Sequence, residues 1–191
     1  MPADDAPTPA ETPATSERIE VQRLIPAEPA AIFAILTDPD GHVAIDSSGM
    51  LMSSAGDPVQ AEGDSFVIHM NREALNDVPM GHYDVTVTIT RLVPDREIAW
   101  TIAGTIRPPI GHIYGYRLEA AGAETSAAKA ENSAGPPTPA TLVTSYYDWS
   151  AIRQEWRERN IFPVIPEASL RATLGILDRT VARGYPRPGH S

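Results

Sequence analysis

Hydrophobic and polar residues alternate along several segments of this chain, most regularly over residues 83–93. In that segment the odd-numbered positions are apolar and the even-numbered positions are polar as far as Thr90. A period of two residues is typical of a β-strand with one buried face. Similar patterns predict six more strands, at residues 19–24, 50–54, 65–70, 97–106, 112–120 and 141–149.

Two other segments have the apolar spacing of an α-helix. The first covers residues 29–38, which Pro29 opens and Pro39 closes. The second covers Glu167–Arg183 and ends at Gly184. Its apolar positions form one stripe, which consists of Leu170, Leu174, Leu177 and Val181. A further helical turn is predicted at residues 42–45.

The order of these elements predicts the fold class. A strand and a helix are followed by a run of antiparallel strands and one long C-terminal helix, which is typical of an α+β fold. The C-terminal helix must bury its apolar stripe. The apolar face of a curved antiparallel sheet of about seven strands is the obvious surface for it.

Proline accounts for 19 of the 191 residues, and nine of these prolines lie in three segments rich in small and polar residues. We expect residues 1–16 to be a disordered acidic tail, residues 121–140 a low-complexity loop and residues 185–191 a loose C-terminus. Residues 17–184 then form a single domain. A domain of that size can hold a substantial core and an internal cavity.

Charge and composition exclude several kinds of protein. The chain has 25 acidic and 15 basic residues, which argues against a nucleic-acid-binding protein. It has no cysteine, so disulfides, cysteine-bound metals and a thiol nucleophile are excluded. We expect neither a metal nor a cofactor. No segment resembles a signal peptide or a membrane span, so we expect a cytoplasmic protein without integral membrane association.

Four stretches, taken in order, resemble a known family. They are residues 19–49, 63–70 (GDSFVIHM), 83–100 (YDVTVTITRLVPDREIAW) and 147–181, which includes YDWS and FPVIPEASLRATLGILDRTV. The set resembles the START/polyketide cyclase superfamily, also called SRPBCC, and most of all its actinobacterial polyketide cyclase or dehydrase-like members. The resemblance implies a helix-grip fold, in which the sheet wraps around the C-terminal helix and leaves a cavity. Family members bind lipids, sterols, polyketides or plant hormones there, and some catalyse cyclisation or dehydration.

Alternation and helical spacing place the same candidate residues around such a cavity. The predicted wall consists of Tyr83, Val87, Trp100, Tyr114, Tyr116 and Tyr147 on the strands and of Leu170, Leu174 and Leu177 on the helix. These side chains could line a ligand pocket or form an ordinary core. The tyrosine hydroxyls could then bind a carbonyl or phenol of the ligand, or be satisfied within the protein.

Three further residues are candidates for polar contacts with a ligand. Asp46 could orient a polar group at the cavity mouth, although Asp followed by Ser is also typical of a turn. His69 could act as a base, or be an exposed histidine on the face opposite Phe66. Arg91 continues the odd-numbered series of residues 83–89 and could bind a carboxylate, or lie on the surface at the strand end.

Three functions are compatible with these residues. The first is binding of a hydrophobic small molecule, such as a lipid or polyketide-like compound, between the sheet and the C-terminal helix. The second is a polyketide cyclase or dehydratase that uses Tyr, His or Asp in the cavity, with catalytic residues unknown. The third is a non-catalytic interaction module whose cavity is filled by side chains. The oligomeric state is not predicted.

Overall fold

The computed structural model describes residues 16–73, 76, 79–121 and 139–186. Seven β-strands and four α-helices lie in these ranges. The strands are β1 (Arg18–Ile25), β2 (Leu51–Ala55), β3 (Ser65–Asn71), β4 (His82–Val93), β5 (Glu97–Ala103), β6 (Ile113–Ala120) and β7 (Thr141–Asp148). The helices are α1 (Pro29–Thr37), α2 (Pro39–Ala44), α3 (Gln154–Arg157) and α4 (Glu167–Arg183).

All seven strands belong to one antiparallel sheet, in the order β1-β7-β6-β5-β4-β3-β2. Strands that follow one another from β2 to β7 are neighbours, as expected for antiparallel hairpins. The turn between β4 and β5 uses Asp95 with a φ of 58°, a conformation that Asp tolerates better than most residues. The predicted α+β class and the seven-stranded sheet with a C-terminal helix are confirmed.

A bulge interrupts the pairing of β4 with β5. Ile89 lies opposite Trp100, but Arg91 lies opposite Ala99, so Thr90 is an extra residue on β4. One extra residue reverses which face the following side chains occupy. Beyond the bulge Leu92 faces the core side, opposite Ile98, and Arg91 does not.

Helix α4 packs against β1, β7 and α1. Its residues Leu174 and Leu177 are fully buried, as the helical spacing predicts. The helix is also joined to β1 by an ion pair in which Arg23 Nε donates to Asp178 Oδ2 at 2.8 Å. The face of the sheet that packs against the helices is called the inner face below, and the opposite face the outer face.

On the outer face, neighbouring residues pack closely around the ring of Tyr146. The ring of Tyr146 lies over Gly115 on the neighbouring strand, and the guanidinium of Arg18 lies 4.0 Å from the ring centroid. A Cβ atom on Gly115 would stand 2.3 Å from Tyr146 Cζ, so this position requires glycine for close approach.

The three predicted low-complexity segments fall largely outside the described residues. Of the tail only Ser16 is described, and of residues 121–140 only the ends, where Ala121 N donates to Ala140 O at 2.8 Å. Residues 187–191 are also outside. The prediction of a single domain over residues 17–184 stays a prediction.

Candidate ligand-binding site

The inner face of β3 to β6 carries a band of apolar side chains that the protein covers only in part. Met70, Tyr83, Ile102 and Tyr114 lie on four successive strands, pack against the core and remain half-buried. Helix α4 lies over β1 and β7, at one end of the sheet, rather than over these strands. The apolar band therefore leaves accessible apolar surface on four successive strands of the inner face.

Next to this band lies a group of aromatic rings, the inner aromatic cluster. It consists of Trp100, His112, Tyr114, Tyr116, Tyr147, Trp149 and Phe162. Tyr114 is at its centre, with ring centroids 6.1 Å from Trp100, 4.9 Å from Tyr147 and 5.0 Å from His112. Each such pair adds about 0.5–1.5 kcal/mol beyond area burial, so these contacts stabilise the cluster.

A buried hydrogen bond joins His112 to Tyr147 within the cluster. His112 Nδ1 lies 2.8 Å from Tyr147 Oη, and the two residues are 3% and 0% exposed. His112 Nε2 is also buried but has no hydrogen-bond partner. Burial lowers the pKa of His112 to about 4, so its ring is neutral at pH 7.

Burial likewise keeps the tyrosines of the cluster neutral. It raises the pKa of Tyr116 to about 12 although a hydrogen bond with Ser145 opposes the shift. Burial, with the neighbouring phenols of Tyr147 and Tyr83, raises the pKa of Tyr114 well above its ordinary value. These tyrosines therefore present neutral hydroxyl groups, and no charge, on the inner face.

A second buried histidine, His42 of α2, packs against the cluster from the helix side. Its ring centroid lies 4.8 Å from that of Trp100 and 5.0 Å from that of Phe66. Its Nε2 lies 2.9 Å from the carbonyl oxygen of Leu36, which leaves it a neutral donor. Burial lowers the pKa of His42 to about 4, against weaker opposing effects of the Leu36 carbonyl and Asp38.

The six predicted strand residues of the cavity wall all lie on the inner face. Tyr83 and Tyr114 are half-buried, whereas the other four, Val87, Trp100, Tyr116 and Tyr147, are at most 9% exposed. The three helix residues Leu170, Leu174 and Leu177 are buried in the packing of α4. Whether a ligand touches any of the nine stays a prediction.

The three predicted polar contacts lie apart from the inner aromatic cluster. Asp46 organises a turn, since it accepts hydrogen bonds from Ser48 N at 2.8 Å and from Leu51 N at 3.1 Å. His69 is on the outer face, where its Nδ1 lies 2.8 Å from Asp84 Oδ1.

Of the two possibilities for Arg91, the structure has the surface position at the end of the strand. The bulge at Thr90 turns Arg91 to the outer face, where it is exposed and lies near Glu62 and Glu97, at N–O distances of 3.4 and 3.5 Å. The bulge appears in the sequence only as a change of phase, from odd-numbered Ile89 to even-numbered Leu92, too close to the strand end to be identified by alternation alone.

Sequence reasoning missed His112 and Phe162 as members of the cluster. His112 lies one residue before β6, and its number is even like those of Tyr114 and Tyr116. Extending the alternation of β6 by one residue would therefore have placed His112 on the inner face. Phe162 belongs to the irregular segment between α3 and α4, and no periodic pattern there marks it as an inner residue.

A cavity of about 520 Å³ opens at the end of β4 and β5, on the outer face. Its lining includes Asp84 and Thr86, which alternate with buried Val85 and Val87. It is polar and open, and Tyr83 is the one residue of the predicted cavity wall that also lines it. Within the described ranges, no three His, Asp or Glu side chains are grouped so that they could hold a metal ion.

Comparison with known proteins gives structural neighbours but no sequence relative. No family model and no curated protein matches the chain. A protein of Rhodobacter sphaeroides has a TM-score of 0.55 at 15% identity, over 90% of this chain and 95% of that one. Norcoclaurine synthase of Thalictrum flavum has a TM-score of 0.51 at 12% identity, over 87% and 94% of the two chains. An AHSA1-like protein of Aeromonas hydrophila has a TM-score of 0.50 at 18% identity, over 91% and 99%.

This chain has the helix-grip fold. At these identities the likeness concerns the helix-grip fold alone, and membership of the START/polyketide cyclase superfamily stays a prediction. None of the helices in the described part of the chain is long and apolar enough to cross a membrane.

Proposed function

We propose that this protein binds an apolar small molecule, such as a lipid or polyketide-like compound, on the inner face of its sheet beside α4. The observation that carries the proposal is the apolar band of Met70, Tyr83, Ile102 and Tyr114, which remains half-buried on four successive strands of the inner face. Covering such surface stabilises a complex by about 25 cal/mol per Å². Norcoclaurine synthase, of the same fold, has been solved in complex with a transition state analogue, which supports a small-molecule site in this architecture.

The packed interior determines where the ligand would lie. Tyr147, Leu174 and Leu177 are 0–1% exposed, so a ligand between them would have to displace the protein's own side chains. The half-buried band needs no such displacement. The ligand would therefore rest on Tyr83, Ile102 and Tyr114, beside Val87, Trp100 and Tyr116 of the same face.

The electrostatics of the cluster favour binding over acid–base catalysis. A general acid or base works best when its pKa lies near the working pH. Burial lowers the pKa of His112 to about 4 and raises that of Tyr147 beyond the ordinary tyrosine range, so both are far from neutrality. A cyclase or dehydratase that relies on these two groups is therefore less well supported than a binding protein.

Two bulky substitutions on one strand test the proposal. Ile102→Trp would fill the apolar band, and Thr101→Trp would add the same bulk to the outer face one residue away. Each protein is titrated with 2-acetylnaphthalene and with 2-ethylnaphthalene, and binding is followed by backbone amide shifts in NMR spectra. We expect binding of both probes to the wild type and to Thr101→Trp, and at least tenfold weaker binding to Ile102→Trp.

Two results would count against the proposal. If neither probe binds the wild type, the inner face is closed and the interaction-module hypothesis is the better one. If the probes change amide chemical shifts only around the outer-face cavity near Asp84 and Thr86, the site is not on the inner face. The same conclusion follows if both variants bind the probes equally well.

A further inference from the structure

His112 is a buried polar side chain with half of its hydrogen-bonding capacity unused. Its Nδ1 lies against Tyr147 Oη, so Nε2 faces the other way and has no partner. The other two rings that contact His112 are those of Tyr114 and Phe162, with centroids at 5.0 and 6.4 Å, and both residues are half-buried. A polar group that stays buried without a partner destabilises a fold, so such a group calls for an explanation.

The hydrogen bonds of Tyr147 indicate which nitrogen carries the proton. His112 Nδ1 lies 2.8 Å from the Tyr147 oxygen, so the Tyr147 hydroxyl has an acceptor for its hydrogen if Nδ1 is unprotonated. A neutral imidazole that accepts at Nδ1 carries its hydrogen on Nε2. The opposite tautomer would leave both the Tyr147 hydrogen and the Nε2 lone pair without partners. The arrangement with fewer unsatisfied groups makes Nε2–H a donor that points away from Tyr147.

We propose that His112 Nε2–H is the polar anchor of the ligand site, and that the ligand is an apolar molecule with an uncharged oxygen acceptor, such as a ketone, an ester or an aryl ether. This inference rests on the proposed function. The rings around His112 belong to Tyr114, Tyr147 and Phe162, which carry no positive charge. A carboxylate placed there would lose its hydration and find no cationic side chain among these rings. A carbonyl oxygen needs only one hydrogen-bond donor, which His112 Nε2–H supplies. A pure hydrocarbon would leave the donor unsatisfied.

The first test concerns the tautomer and needs no ligand. The nitrogen chemical shifts of the imidazole rings are measured by NMR in the full-length protein at pH 7, and His112 is assigned from its absence in His112→Asn. We expect hydrogen on Nε2 and an unprotonated Nδ1 for His112. Hydrogen on Nδ1 would overturn the inference whatever the protein binds.

The second test uses the pair of probes that differ only in the acceptor. We expect 2-acetylnaphthalene to bind the wild type about tenfold more tightly than 2-ethylnaphthalene, as one buried hydrogen bond would give. His112→Asn keeps an acceptor for Tyr147 in its side-chain oxygen, but its shorter side chain puts no donor at the position of Nε2, so the preference should disappear. His82→Asn, at an exposed histidine of β4, should keep it.

The outcomes separate the two proposals. Equal binding of both probes to the wild type overturns the role of His112 and leaves the proposed function standing. Loss of the preference in His82→Asn, or its survival in His112→Asn, also overturns the anchor. If neither probe binds, the proposed function fails and the inference fails with it.

Discussion

Mild acid should destabilise this protein, because two histidines are buried as neutral rings. His42 and His112 are 7% and 3% exposed, and burial lowers the pKa of each to about 4 from an ordinary value of 6.5. In the unfolded chain both rings are free to bind a proton near pH 6.5. Between pH 6.5 and 4 the unfolded state therefore binds up to two more protons than the folded state, and stability falls as pH falls.

The size of the effect follows from the two pKa values. With a pKa of 6.5 unfolded and about 4 folded, each histidine lowers the free energy of unfolding by about 2 kcal/mol at pH 5, and both together by about 4 kcal/mol. That is a large share of the roughly 5–15 kcal/mol by which ordinary domains are stable. Among the carboxyl groups, the N–H groups of Gln60 and Ala61 lower the pKa of Asp64, which moves it further from the histidine window.

Urea unfolding followed by circular dichroism at pH 7, 6 and 5 measures this directly. His42→Gln keeps a donor for the carbonyl of Leu36, and His112→Asn keeps an acceptor for Tyr147, but neither side chain titrates. We expect the free energy of unfolding of the wild type to fall by about 4 kcal/mol between pH 7 and 5. It should fall by about 2 kcal/mol in each single variant and change little in the double variant. His82→Asn is the control, since an exposed histidine should leave the wild-type loss unchanged.

A flat wild-type profile between pH 7 and 5 would refute the reasoning, because it would mean that the two rings are protonated or hydrated in the folded protein. An equal loss in the wild type and the double variant would place the acid sensitivity elsewhere in the chain.

Two further predictions concern the packing of the two faces of the sheet. Leu174→Asp would bury a carboxylate on the apolar stripe of α4 and should cost at least about 4 kcal/mol, whereas Ala172→Asp on its exposed side should fold normally by circular dichroism. A Leu174→Asp protein with a normal melting temperature would mean that α4 is not packed on the sheet. Gly115→Ala should cost about 1–3 kcal/mol because its Cβ would meet the ring of Tyr146 at 2.3 Å, and the cost should vanish in a Tyr146→Ala background. An equal cost in both backgrounds, measured by urea unfolding of the four proteins, would show that the ring is not the cause.

Most elements of the fold could be predicted from local patterns. The predicted helix Glu167–Arg183 coincides with the observed α4, and β3 to β7 start within one residue of their predicted positions. These elements bury one face over several residues, so their periodicity is long enough to detect. Helix α3, with four residues, is too short to give such a signal.

The candidate site was harder to predict than the fold. Parity assigned Tyr83, Trp100 and Tyr114 to one face of the sheet, because neighbouring side chains on a strand point in opposite directions. Parity alone could not decide between the two positions of Arg91, because the bulge at Thr90 arises from the pairing with β5. It also could not distinguish residues that are fully packed, such as Tyr147, from residues that keep accessible surface, such as Tyr83.

The sequence by itself determined the elements, the α+β class and the apolar faces, since each depends on residues that are near neighbours along the chain. Only the tertiary structure decided which partners those faces meet. His112 and Tyr147 are 35 residues apart, and their hydrogen bond exists because β6 pairs with β7 and carries the two rings together. The burial that keeps His42 and His112 neutral is likewise a property of the whole packed sheet, because the cost of a buried charge depends on everything that excludes water from it.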